Sequence, residues 1–123
     1  METISKTLGA IGEELAYHYL SRQGYKILLR NYTSPLGEID LIAKEKGSLV
    51  FVEVKTRKTD VMGSPAEAVT AEKRHQLIKN AKYYINRYGI HDVPCRFDVV
   101  SILMPEGEEA KIELIENAFE AGA

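Results

Sequence analysis

The chain has 123 residues, 45% hydrophobic and 28% charged, the size and balance of one globular domain with a single core. Its one cysteine, Cys95, excludes a disulfide framework within the chain, and no stretch has the length and apolarity of a membrane span or signal-peptide core, so a cytoplasmic setting without membrane contact is expected. A net charge of −2 does not advertise a nucleic-acid binder, but residues 52–98 carry nine basic and six acidic side chains, while residues 99–123 carry one and six.

Ile4, Leu8, Ile11, Leu15 and Tyr19 follow helical spacing, which predicts an amphipathic helix over residues 4–23, ended by Gly24. Gly9, Glu13, Ala16 and Leu20 form a stripe bordering its apolar face, whose small residues would let the helix approach a sheet closely. Residues 25–32 read as a strand, and residues 37–45 and 48–57 as a hairpin. Ser64-Pro65-Ala66-Glu67 is a helix-start signal, with Thr70 a second cap. The helix that follows carries Leu77, Ala81, Tyr84 and Tyr88 on one face and stops at Gly89. Residues 95–103 read as a strand, Lys111 to Ile115 as a last edge strand, and residues 117–123 as a short helix or frayed tail. The order is α-β-β-β-α-β-β, an α/β domain spanning residues 1–123 in which a mixed sheet carries a helix on each side.

The hairpin holds charges where strands are usually apolar: Gly37-Glu38-Ile39-Asp40-Leu41-Ile42, then Val50-Phe51-Val52-Glu53-Val54-Lys55-Thr56-Arg57. A buried unpaired charge costs several kcal/mol, so these need a reason. With Lys46-Gly47 as a two-residue turn, Ile42 faces Phe51, Asp40 faces Glu53 and Glu38 faces Lys55. Opposed residues share a face with Cβ atoms about 4.5–5.5 Å apart. Two carboxylates forced together repel unless a proton or cation lies between them. Mg²⁺ or Mn²⁺ on carboxylates, with a lysine beside them, is the constellation of a metal-dependent phosphodiesterase. The competing reading is a salt-bridged strand pair facing solvent; Asp40 among Ile39, Leu41 and Ile42 argues against it.

Around this pair, Glu13 can reach a metal from the first helix, and Lys73, on a stripe with Leu77 and Ala81, can lean toward the sheet and contact phosphate or snorkel over the core edge. Arg57 and Thr56 follow the site strand as phosphate contacts, and Glu38, which could hold Lys55 in place or contact a second metal, is expected to form a simple ion pair with Lys55. Arg96 and Asp98 alternate with Phe97 and Val99, which predicts a structural ion pair. His18, His75, His91 and Cys95 lack zinc-ligand spacing.

These segments resemble the YraN-like uncharacterised protein family, in the restriction-endonuclease-like superfamily. The resemblance rests on Gly9-x-x-x-Glu13-x-x-Ala16, Gly37-Glu38-Ile39-Asp40, Val52-Glu53-Val54-Lys55, Lys73 and Arg96-Phe97-Asp98, and covers residues 5–119. It implies a restriction-endonuclease-like fold with Asp40, Glu53 and Lys55 at the PD-(D/E)xK catalytic positions, Ile39 replacing the proline. Glu13 falls on the first-helix acidic position of the similar archaeal Holliday-junction resolvases, which are homodimers. The function expected is a Mg²⁺- or Mn²⁺-dependent endonuclease on DNA, branched or damaged, with Asp40, Glu53 and Glu13 on the metal and Lys55, Arg57 and Lys73 toward the nucleic acid. A homodimer would suit the two-fold symmetry of duplex DNA. The alternative is a non-catalytic nucleic-acid-binding module that keeps the fold.

Overall fold

A computed structural model describes residues 7–59 and 69–121. Helix α1 runs Leu8–Arg22 and starts where the Thr7 side chain accepts the Ala10 N–H. Gly24, at φ +95, turns the chain out of it. Strands β1 (Lys26–Ser34), β2 (Gly37–Glu45) and β3 (Ser48–Arg57) follow. Lys46 and Gly47 form the expected turn between β2 and β3, with φ of 50 and 82, the doubly left-handed geometry whose twist suits a hairpin. Helix α2 (Ala71–Arg87) begins at the second predicted cap, where the Thr70 side chain accepts the Lys73 N–H. The Ser64–Glu67 start signal and Ile4 lie outside the described residues. Strand β4 (Cys95–Leu103) runs parallel to β3, and β5 (Lys111–Phe119) antiparallel to β4.

The sheet is mixed, with spatial order β1-β2-β3-β4-β5, and the β3–α2–β4 crossover supplies its parallel pair. Each helix covers one face. Ala16 and Leu20 of α1 pack with Leu41, Ala43, Val50, Val52 and Val100. Leu77, Ile78, Ala81 and Tyr84 of α2 pack with Ile39, Ile42, Phe51, Phe97 and Val99. Tyr88, expected on the buried face, is instead the exposed C-cap of α2. Strand β5 runs past Ile115 where a helical or frayed tail was expected. Phe119 stacks on Phe97 with ring centroids 4.9 Å apart, an apolar gain that keeps the chain on the sheet.

The close approach of α1 is made by Gly12, not Gly9. Gly9 is exposed, whereas a Cβ on Gly12 would overlap the Thr56 hydroxyl and lie 2.8 Å from Thr56 Cβ. No rotamer of Thr56 relieves both contacts, so Thr56 serves the helix–sheet contact. Gly12→Ala is expected to destabilise the chain by about 1–2 kcal/mol, overpacking outweighing the better helix propensity of alanine. An unchanged urea midpoint would show that α1 is free to shift.

The Arg96–Asp98 ion pair forms as expected, Nε to Oδ1 at 3.0 Å, but within a larger network. Arg96 Nη2 also donates to Glu45 Oε1 at 2.8 Å and to the Tyr25 hydroxyl at 2.9 Å. Tyr25 donates to Asp98 Oδ2 at 2.7 Å, and the Asn117 N–H to Asp98 Oδ1 at 2.9 Å. Burial and the Asp98 carboxylate hold the Tyr25 hydroxyl protonated. The network ties the exit of α1 to β2, β4 and β5.

Candidate active site

The β2–β3 ladder follows the predicted register from Glu45↔Ser48 through Ile42↔Phe51 to Leu41↔Val52, and stops there. Asp40 and Glu53 are therefore not ladder partners. Asp40 Oδ2 instead accepts the Val54 N–H at 2.8 Å, a side chain standing in for a backbone carbonyl. The two carboxyl groups still lie near one another, close enough for Asp40 to raise Glu53. Glu38 does not reach Lys55 as expected. The strands have parted before that pair, and a carboxylate oxygen of Glu38 lies within 4.8 Å of oxygens from Asp40 and from Glu13 of α1.

Glu53 is 5% exposed, on the α2 side of the sheet with Phe51. Lys55 Nζ lies 3.6 Å and Lys73 Nζ 3.9 Å from Glu53 Oε2. Burial, with Asp40 beside it, pushes Glu53 up to about 7 against the pull of the two ammoniums. Burial and the Asp40 and Glu38 charges also raise Glu13 above its ordinary value. Arg57 is half-buried at the end of β3, two residues beyond Lys55.

The structure thus gathers Glu13, Asp40, Glu53, Lys55 and Lys73 from α1, β2, β3 and α2. Glu38 joins the carboxylates, a role the sequence reading had set aside for an ion pair. Carboxylate oxygens alone, close enough to share one ion, suit a hard divalent cation that takes oxygen ligands. Sequence reasoning missed Arg30, whose positive charge opposes the rise at Glu13. Arg30 lies over the Tyr17 ring at 4.4 Å and pairs with Glu14 at 2.7 Å. A lone arginine in an edge strand gives no signal of this in sequence.

A mixed five-stranded sheet between two helices, in the order α-β-β-β-α-β-β, has the restriction-endonuclease-like fold. The sequence comparison gives the family: the chain belongs to the YraN-like group, the uncharacterised protein family UPF0102, which matches residues 12–102. A UPF0102 protein of Trichlorobacter lovleyi is 44% identical over 117 residues, covering 94% of this chain and 92% of its own. One from Lachnoclostridium phytofermentans is 50% identical over 118 residues, covering 94% and 95%. Among solved structures, a chain of an EndoMS–dsDNA2 complex aligns with TM-score 0.50 and 19% identity, over 86% of this chain and 41% of that one. This last likeness is one of fold.

Proposed function

We propose that this chain is a metal-dependent nuclease that hydrolyses phosphodiester bonds in DNA. The observation that carries the reading is the convergence of Glu13, Glu38 and Asp40 within 4.8 Å, beside a buried Glu53 whose partners are Lys55 and Lys73. Asp40, with Glu13 and Glu38 on one side and Glu53 on the other, would hold Mg²⁺ or Mn²⁺. A bound ion of this kind neutralises charge on the phosphodiester and acidifies a bound water. Lys55 then orients the attacking water or stabilises the developing oxyanion, and Lys73 and Arg57 contact flanking phosphates. The EndoMS likeness supports the reading through a fold seen on double-stranded DNA.

The test is cleavage of labelled linear duplex, single strand, flap and four-way junction with Mg²⁺ or Mn²⁺, with Asp40→Asn and Glu53→Gln in parallel. Metal-dependent cleavage lost in both variants is expected. Cleavage that survives Asp40→Asn would remove the assignment. Binding that persists in EDTA and in Glu53→Gln, with no cleavage of any substrate, would point to a non-catalytic binding module.

A further inference from the structure

Side chains two apart on a regular strand share a face. Beyond the register shift between Ile27 and Leu29, there is one step of the β1–β2 pair at which they do not. In β1, Arg30 points to α1, where it meets Glu14 and Tyr17, while Tyr32 points to α2, its ring 5.2 Å from that of Tyr84. In β2, Leu41 packs in the α1 cluster and Ile39 in the α2 cluster. The pairings on either side, Arg30↔Leu41 and Tyr32↔Ile39, belong to one continuous register, so neither strand has gained a residue. Both strands turn over together at the step they skip, Asn31 opposite Asp40. Asn31 sits there at φ +53, and among the described residues no other interior position of β1 or β2 has a positive φ.

We infer that Asn31 is a positioning residue for Asp40: its left-handed backbone turns the paired strands over, and that turn aims the Asp40 carboxylate along the sheet at Val54. In an unbroken pleat Asp40 would share the face of Ile42 and point toward α2. The turn-over instead lets one side chain bond the Val54 N–H at 2.8 Å, lie near Glu53 on the α2 side, and come within 4.8 Å of Glu13, which arrives from the α1 side. Glu13 and Glu53 approach from opposite faces of the sheet, and Asp40 joins them. Asparagine suits the position because it tolerates the left-handed region, which a β-branched residue does not. The positioning claim stands on the geometry; its consequence for metal binding rests on the nuclease reading above.

The test compares Asn31→Gly, Asn31→Ala and Asn31→Val in the full chain. Amide exchange of Val54, referenced to Val52 in the β2–β3 ladder, reports the Asp40 bond without any metal. Mn²⁺ titration, followed by the EPR signal of the free ion, reports the site. Asn31→Gly is expected to keep both. Asn31→Ala and Asn31→Val are expected to speed Val54 exchange and weaken Mn²⁺ binding by roughly tenfold or more, as loss of a residue that orients a metal ligand does. Alanine, the milder change, keeps the comparison open if the valine variant does not fold. Unchanged Val54 protection in a folded Ala or Val variant would overturn the inference, and so would a glycine variant as impaired as the valine one. A wild-type chain that binds no Mn²⁺ would remove the nuclease reading, while the Val54 comparison would still decide the role of Asn31.

Discussion

Arg96→Met is expected to destabilise the folded chain by about 3–5 kcal/mol at pH 7, the range for breaking a buried ion pair from one side. Arg96 answers two buried carboxylates, Asp98 at 0% and Glu45 at 7% exposure. Removing it leaves Asp98 with two neutral donors, the Tyr25 hydroxyl and the Asn117 N–H, and Glu45 with the exposed Lys46 ammonium 3.9 Å away. Asp98→Asn removes one charge and leaves Arg96 still paired with Glu45, so its cost should be smaller. Urea unfolding of the three proteins at pH 7 measures this. Equal costs for both variants would mean that the network contributes through packing alone. Added Mg²⁺ should leave the ranking unchanged, since the network's five side chains, Tyr25, Glu45, Arg96, Asp98 and Glu116, include none of the candidate metal ligands.

That network and the candidate site are opposite solutions for a buried acid in one sheet. Asp98 is met by a guanidinium, a phenol and a backbone N–H at 2.7–3.0 Å. Glu53 has a second carboxyl group for a neighbour, and its cations stand off at 3.6 and 3.9 Å. A fully answered charge fixes structure, whereas a poorly answered one keeps an affinity for something else.

Much of this was legible in the sequence, for reasons that can be named. The hairpin could be counted out from Lys46-Gly47 because both flanking strands alternate regularly as far as Leu41 and Val52. The Arg96–Asp98 pair could be read because it needs only local alternation. Its partner Tyr25, 73 residues from Asp98, could not, since no periodicity links a residue at the end of α1 to the fourth strand. The facing of Asp40 was misjudged for a single cause: counting by twos assumes that a strand never turns over. Asn31, a turn-prone residue inside Leu28-Leu29-Arg30-Asn31-Tyr32, was the available signal. Glu38 was assigned to Lys55 by the same count and joined the carboxylates for the same reason. At the far end, Asn117 at φ +51 interrupts the pattern of β5, and the strand continues through the pairing of Phe119 with Phe97 and the stacking of their rings.

Glu53 leads to the second large effect, a stability that falls as pH rises. Its pKa is raised to about 7 in the folded chain, from an ordinary 4.5. Between those values the folded state binds a proton that the unfolded state has released, so stability declines across that window and levels off above it. In EDTA the group's share of the loss from pH 5 to pH 8 is on the order of 2–3 kcal/mol. Glu53→Gln cannot take part, so the variant should be the more stable protein at pH 8 and lose its advantage toward pH 5. A shallower slope of the same sign should remain in the variant, because Glu13 is raised as well. Divalent metal should reverse the ranking. At pH 8 an ion at a hundred times its dissociation constant stabilises the wild type by about 2.7 kcal/mol, and Glu53→Gln, lacking a ligand, by much less. Thermal unfolding at pH 5 and pH 8, with EDTA and with Mn²⁺, measures all four combinations. Parallel pH profiles of wild type and variant in EDTA would mean that Glu53 is not strained in the folded chain. An equal Mn²⁺ response in both would place the ion on Glu13, Glu38 and Asp40 alone, leaving Glu53 free to act as the base toward water.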